Sequence, residues 1–214
     1  MTGSTAYVTA TLPGSGELIP IRRGGTFNDV SKTFWGHDWI RKAAGSLIVS
    51  GYGDGTFRPM AKATRAEFAS VIIRSGGVLV TDYAKAQFKD VSKDDWYYDT
   101  MSVATALGIL SGYKDGTVHA DNAVSRAEAM VMACHMIRLK GIVKEVTRAE
   151  ADRILAAYAD ADQIPDWARI PVATCIKSGI IAGADGKVLP NDNLTRAEAA
   201  TIAIKISEAI IATA

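Results

Sequence analysis

One pattern runs through this chain three times, and a chain built that way has to bury equivalent faces of equivalent units against one another. The first copy holds Phe27-Asn28-Asp29-Val30, Trp35, the run Gly51-Tyr52-Gly53-Asp54-Gly55-Thr56-Phe57-Arg58-Pro59, and Thr64-Arg65-Ala66-Glu67. The second holds Phe88-Lys89-Asp90-Val91, Trp96, Gly112-Tyr113-Lys114-Asp115-Gly116-Thr117-Val118, and Ser125-Arg126-Ala127-Glu128. The third holds Tyr158-Ala159-Asp160-Ala161, Trp167, Gly183-Ala184-Asp185-Gly186, Pro190, and Thr195-Arg196-Ala197-Glu198. Tryptophan to first glycine is 16 residues in every copy, and loop aspartate to arginine is 11. The arginines lie 61 and then 70 residues apart, so an insertion separates the second copy from the third.

Within each copy the spacing predicts helix, tight loop, helix. A first helix is expected from near the tryptophan to the glycine, with Trp39, Ala43, Leu47 and Ile176 at helical spacing, and the glycine stopping it. The Asp-Gly pairs 54–55, 115–116 and 185–186 then make a turn, glycine supplying positive φ. Thr64, Ser125 and Thr195, each followed three residues on by glutamate, carry the capping-box pattern that starts a second helix. Positions three, six, seven and ten beyond each arginine form a largely apolar stripe: Phe68, Val71, Ile72, Ser75; Ala129, Met132, Ala133, Met136; Ala199, Ile202, Ala203, Ile206. Three such helices can share one core in a pseudo-threefold arrangement, and the prediction is one all-α domain. Its parts are a repeat over 26–80, a second over 81–143, an inserted helix over 144–157 and a third repeat over 158–214. Residues 1 to about 25 suggest two short strands, an extension or the remnant of a preceding domain. The insert has its own Thr147-Arg148-Ala149-Glu150, but no tryptophan or Asp-Gly loop precedes it, so Arg148 is left out of the site.

Composition narrows the function. With 24 Lys plus Arg against 23 Asp plus Glu, the 214-residue chain has no field that would draw it onto nucleic acid or anionic lipid. Any anion must be held by placed groups. No stretch reaches the roughly 20 apolar residues of a membrane span, and no export signal opens the chain. Cys134 and Cys175 sit in apolar runs without metal or redox spacing and read as small buried hydrophobes. His37, His119 and His135 occupy non-equivalent places and no nucleophile motif occurs, so no enzyme and no cofactor is expected. Asp160, Asp162 and Asp166 have a calcium-loop spacing, but Pro165 and Pro171 stand where such a loop needs glycine and glutamate, so no metal is expected either.

The threonine or serine and the glutamate of the second-helix motif are accounted for by capping. The arginine is not, because a cation in the first turn opposes the helix dipole. Two explanations stand. The guanidinium and free first-turn amides together hold an anionic ligand. Alternatively each arginine forms a structural salt bridge to a neighbouring repeat's carboxylate, such as Asp29, Asp90 or Asp160. Truncation separates them: the first weakens ligand binding and leaves the melting temperature nearly unchanged, while the second lowers stability. Tryptophans 35, 96 and 167 could stack on a sugar ring, although burial in the core is the commoner fate of such residues.

These motifs together resemble the S-layer homology domain of bacterial surface proteins, over about residues 26 to 210. The resemblance implies a three-pronged spindle around a central three-helix bundle, with grooves between prongs that bind secondary cell-wall polysaccharide bearing pyruvate ketals on N-acetylmannosamine. It implies non-covalent anchoring at the cell wall or S-layer; the strand-like stub upstream and the end of the chain soon after the third copy add the expectation of a monomeric C-terminal domain of a larger exported protein whose signal peptide lies outside this chain. Carried over by motif, Arg65, Arg126 and Arg196 would pair with the ketal carboxylate. Gly51, Gly112 and Gly183 would let the glycan approach the backbone. Asp29, Asp90 and Asp160 are the opening-motif aspartates, and Trp35, Trp96 and Trp167 complete the candidate glycan-binding set. The third copy departs most: it has Tyr158-Ala159-Asp160-Ala161, one extra residue before its tryptophan, and a shorter loop without tyrosine. The second has Val118 and Ala120 where phenylalanine and proline are expected. The competing function is a protein–protein interaction module of the cell surface whose arginines are structural.

Overall fold

The computed structural model describes residues 25–79, 85 and 88–213. The two strands expected near the N-terminus lie outside them. The described residues form seven α-helices: α1 (His37–Gly45), α2 (Arg65–Ser75), α3 (Tyr98–Ala106), α4 (Arg126–Leu139), α5 (Arg148–Leu155), α6 (Asp166–Lys177) and α7 (Arg196–Thr213). A 3-10 turn over Ala161–Gln163 and isolated β-bridges accompany them. No described helix is long and apolar enough to cross a membrane.

The starts of α2, α4 and α7 follow the capping-box expectation. Thr64 and Ser125 each accept from the glutamate amide three residues on, and the glutamate carboxylate accepts from the N-cap amide. Thr195 and Glu198 exchange the same pair of bonds, at 2.8 and 3.3 Å. The predicted stripe is buried at all twelve positions, from Phe68 to Ile206. Each large member contributes about 1.5–3 kcal/mol by leaving water. The three helices pack pairwise on one another as the shared core. Cys134 and Cys175 are free thiols buried in it.

The first helices end earlier than the glycine rule predicted. α1, α3 and α6 stop at Gly45, Ala106 and Lys177, six residues before Gly51, Gly112 and Gly183. What stops them is a left-handed residue at one equivalent position: Leu47 (φ 59°), Gly108 (φ 67°) and Gly179 (φ 71°). In the first copy Leu47 N–H donates to Ala44 O at 3.1 Å and Ile48 N–H to Ala43 O at 2.9 Å, a Schellman closure. The second copy repeats it through Gly108 and Ile109. Leu47, expected on the apolar face, is therefore a 54% exposed cap residue.

The first helix of each copy packs on the second helix of a different copy. α3 packs on α2, α6 on α4, and α1 on α7. Each prong thus pairs the first helix of one copy with the second helix of the copy before it, and the chain's first helix closes the cycle on its last. A ring of backbone hydrogen bonds marks the centre: Ala63 N–H to Leu194 O (2.8 Å), Leu194 N–H to Val124 O (2.9 Å) and Val124 N–H to Ala63 O (3.0 Å). These are the residues just before the three N-caps, and all are buried. The helix of the insert covers only Arg148–Leu155 of the 144–157 segment. α5 starts at N-cap Thr147 and lies along α6.

Candidate functional site

The same cyclic order governs the arginines. Arg65 donates from Nε to Val118 O at 2.9 Å and from Nη1 to Glu128 Oε1 at 2.9 Å. Arg126 donates from Nε to Val188 O at 3.0 Å and from Nη1 to Glu198. Arg196 donates from Nε to Phe57 O at 2.9 Å and from Nη1 to Glu67 Oε1 at 2.8 Å. Each arginine therefore latches its copy to the loop and the first turn of the next. The arginine side chains are 7, 9 and 12% exposed.

Each glutamate divides its carboxylate. One oxygen caps its own helix, as Glu128 Oε2 does for the Ser125 amide at 2.9 Å, and the other receives the neighbouring arginine. Capping was expected of these glutamates, but the second half of the task was not legible, because it joins residues more than sixty positions apart. Burial alone would raise the Glu128 pKa. The Ser125 amide and hydroxyl, the Tyr113 hydroxyl and Arg65 outweigh it, and the net shift is downward. The salt-bridge partner of each arginine is thus a capping glutamate, not Asp29, Asp90 or Asp160.

Those aspartates clamp the loops. Asp29 accepts from the amides of Phe57 (2.8 Å) and Arg58 (2.7 Å), Asp90 from Val118 (2.9 Å) and His119 (2.7 Å), and Asp160 from Val188 (2.8 Å) and Leu189 (2.7 Å). The second residue of each pair has a left-handed backbone, at φ 57°, 49° and 57°. An amide pair on one carboxylate offsets that strain. Burial opposes ionisation of Asp160, but the two amides prevail and its pKa is lowered. Asp160 is thereby committed to its loop, while Asp166 pairs with Arg148 at 2.7 Å. Arg148 ties α5 to α6, outside the three grooves described below.

The glycines face inward. A Cβ on Gly51 would lie 2.3 Å from the Phe27 ring, on Gly112 2.5 Å from the Phe88 ring, and on Gly183 2.5 Å from the Tyr158 ring. Each glycine lets the opening-motif aromatic pack flat against the loop backbone. The free first-turn amides expected to meet an anion are also occupied. Arg65 N–H donates to Asn122 O (2.9 Å), Arg126 N–H to Asp192 O (2.8 Å) and Arg196 N–H to Ala61 O (2.9 Å), and the next alanine amides bond Ala120, Pro190 and Pro59. The helix N-termini are docked on neighbouring loops, so the amide half of the anion site does not exist in this form.

Three surface grooves remain, and each draws on all three copies. Groove one contains Arg196, Glu67 and Trp96; groove two Arg65, Glu128 and Trp167; groove three Arg126, Glu198 and Trp35. Their volumes are about 140, 490 and 570 Å³. The tryptophans are 56, 63 and 58% exposed in chain order, so the expectation of core burial does not hold. Gly112 and Gly183 line grooves two and three; none of the motif aspartates lines any. Tyrosines missed by the sequence reading cover two of the arginines: Tyr113 lies 5.1 Å from Arg65 and Tyr52 4.9 Å from Arg196. Tyr113 also donates to Glu128 at 2.8 Å. The third copy closes its shorter loop with Asp185 (φ 50°) and Gly186 (φ 72°), a primed two-residue turn, and puts Ala184 where tyrosine stands elsewhere. Arg126 consequently has no such cover. Among the described residues no cluster of His, Cys, Asp and Glu could hold a metal ion.

The S-layer homology domain family model matches residues 26–69, 87–130 and 157–200. Similar proteins include an amylopullulanase of Thermoanaerobacterium thermosulfurigenes, 34% identical over 83% of this chain and 9% of that protein. The exoglucanase XynX of Acetivibrio thermocellus is 32% identical over 85% of the chain and 16% of its own length. The surface-layer 125 kDa protein of Lysinibacillus sphaericus is 26% identical over 97% and 17%. The chain thus spans less than a fifth of each of these relatives. With its three matched segments closed into one cycle, the chain belongs to the S-layer homology domain family.

Proposed function

We propose that this chain is a non-catalytic module that anchors a larger surface protein to the bacterial cell wall by binding an acidic, pyruvylated secondary cell-wall polysaccharide in the inter-repeat grooves. The observation that carries this reading is the recurrence, in all three grooves, of an exposed tryptophan in the same groove as a partly buried Arg–Glu pair. An indole face kept in water at three equivalent positions is a stacking platform for a pyranose ring. Grooves two and three have the size of ordinary ligand clefts, whereas groove one is narrow. Similarity to proteins named as an amylopullulanase and as a surface-layer protein supports a shared attachment role, since one segment serves polypeptides with different names.

The test is sedimentation with purified sacculi before and after acid removal of the polysaccharide. Binding should disappear with the glycan. The arginine–glutamate latches also favour the second reading, in which the grooves receive a protein and the arginines serve only the fold. Undiminished binding to acid-stripped sacculi would establish that alternative and refute the glycan.

A further inference from the structure

The insertion between the second and third copies builds a cavity that no repeat motif accounts for. Past α4, Gly141 takes a left-handed backbone (φ 69°) and Ile142 N–H donates to Ile137 O at 2.9 Å, so the chain turns back along the end of the helix. Val146 N–H then donates to Thr174 Oγ1 of α6 at 3.3 Å, which fixes the segment before α5 starts. Between this segment, α4 and the end of α3 lies a depression of about 580 Å³, somewhat larger than groove two. Gly108 and His135 line both cavities, so the depression continues groove two. Gly108 keeps the junction free of a side chain. A Cβ there would meet no atom within 4 Å, whereas the first copy has Leu47, 54% exposed, at the equivalent place. The lining is amphipathic. Leu107, Leu139 and Val143 supply apolar surface, and Leu139 is 47% exposed. Arg138 Nη1 donates to Glu145 Oε1 at 3.1 Å, and these two charges offset each other. Lys144 lies exposed on the same lining, and its ammonium has no hydrogen bond or ion pair with any described residue.

A polysaccharide does not end at the sugar held in groove two, and its next residues have to lie along the adjoining surface. Resting on the acidic-glycan reading, we infer that the polymer continues from groove two past Gly108 into the depression at the insert, where Lys144 meets the acidic substituent of a neighbouring sugar and Leu139 underlies its ring. An apolar wall with a few placed polar groups is the ordinary make-up of a ligand cleft, and it suits a ring with one apolar face and a charged edge. Sugars already bound in groove two raise the local concentration of those that follow, so even a weak second contact adds to the affinity for polymer. The extension is a product of the insert and lies outside the threefold pattern.

The experiment is calorimetric titration of the whole chain with two ligands, the pyruvate ketal of the methyl glycoside of N-acetylmannosamine and polysaccharide released from sacculi and sheared by sonication. Trp35→Ala and Trp96→Ala are introduced first to weaken grooves three and one. In that background the polysaccharide, counted per repeating unit, should bind on the order of tenfold tighter than the monosaccharide. Adding Lys144→Glu should remove most of that gain and leave both the monosaccharide affinity and the melting temperature unchanged. Lys93→Glu makes the same charge change at an exposed place outside all four cavities and should leave both affinities as they were. The assignment is overturned if the background chain gains nothing from polymer, if Lys144→Glu keeps the full polysaccharide affinity, or if Lys93→Glu loses as much. An equal loss for both ligands in Lys144→Glu overturns it too, since the lysine would then act on groove two itself. If the unaltered chain binds neither ligand, the acidic-glycan reading fails and takes this assignment with it.

Discussion

Replacing Arg65 by alanine should destabilise the domain substantially, and the structure allows the size to be worked out. Three contacts disappear: Nε to Val118 O at 2.9 Å, Nη1 to Glu128 Oε1 at 2.9 Å, and Nη2 to Ser111 O at 3.4 Å. The last is too long to matter much. A hydrogen bond from a charged donor to a carbonyl is worth about 1.5 kcal/mol at the low end. Removing one partner of a fully buried ion pair costs about 3–5 kcal/mol. Glu128, however, is 23% exposed and keeps the Ser125 amide, the Ser125 hydroxyl and Tyr113. The stranded carboxylate is therefore partly compensated, and the total comes to roughly 3–4 kcal/mol. For a chain of this size that is a fall in melting temperature of about 6–15 °C. Scanning calorimetry measures it, and a cycle with Glu128→Gln, which preserves the cap, isolates the pair. Melting within about 1 °C of the parent, with sacculus binding lost, would refute the structural argument and restore the motif arginine as the carboxylate ligand.

Three other outcomes follow from the same geometry. Trp167→Ala should weaken sacculus binding severalfold and leave melting almost untouched, because the ring is 58% exposed; a large loss of stability would show that the indole belongs to the core. Gly51→Ala should cost about 1–3 kcal/mol, since its Cβ meets the Phe27 ring at 2.3 Å and Thr56 O at 2.6 Å, and only the ring can yield; unchanged melting contradicts the packing. Asp54, drawn down to about 2 chiefly by the Thr56 hydroxyl, and Asp160 and Glu128, also lowered, bind fewer protons folded than unfolded in acid. Their stabilisation is present above the unfolded carboxylate values and is lost as pH falls through the folded ones, so melting temperature should be flat above about pH 5 and decline toward pH 2. A rise in melting temperature below pH 4 would contradict that sign.

Much of the fold was readable because its determinants are local. Thr64 and Glu67 lie three residues apart, and a capping box needs nothing else; the stripe from Phe68 to Ser75 follows from one helical period. The end of α1 was misplaced because Leu47 adopts a left-handed backbone that no propensity predicts for leucine. The site was legible in composition but not in wiring. Repetition marked the arginines, glycines, aspartates and tryptophans, yet the partner of Arg65 is set by how copies pack, and sequence distance gives no clue that Glu128 is it. The tryptophans were misjudged for a related reason: apolar character favours burial, and only the closed cycle shows that their position falls at a groove lip.

The cyclic wiring also changes what a defective copy means. If each copy carried its own pocket, the short loop and missing tyrosine of the third would disable one site and leave two intact. Here groove three takes its loop from the third copy, its arginine from the second and its tryptophan from the first. The departures of the third copy are therefore distributed. The lost tyrosine uncovers Arg126 in groove three, while Trp167 of that same copy stands in groove two, beside an Arg65 still covered by Tyr113. Divergence of the third copy's loop alters groove three and leaves the tryptophan it gives to groove two in place. Latches that run from copy to copy hold that geometry, since an Arg–Glu pair at each junction fixes the loop of one copy against the helix start of another. On this account the motif arginine is invariant among the copies because it braces every junction of the cycle.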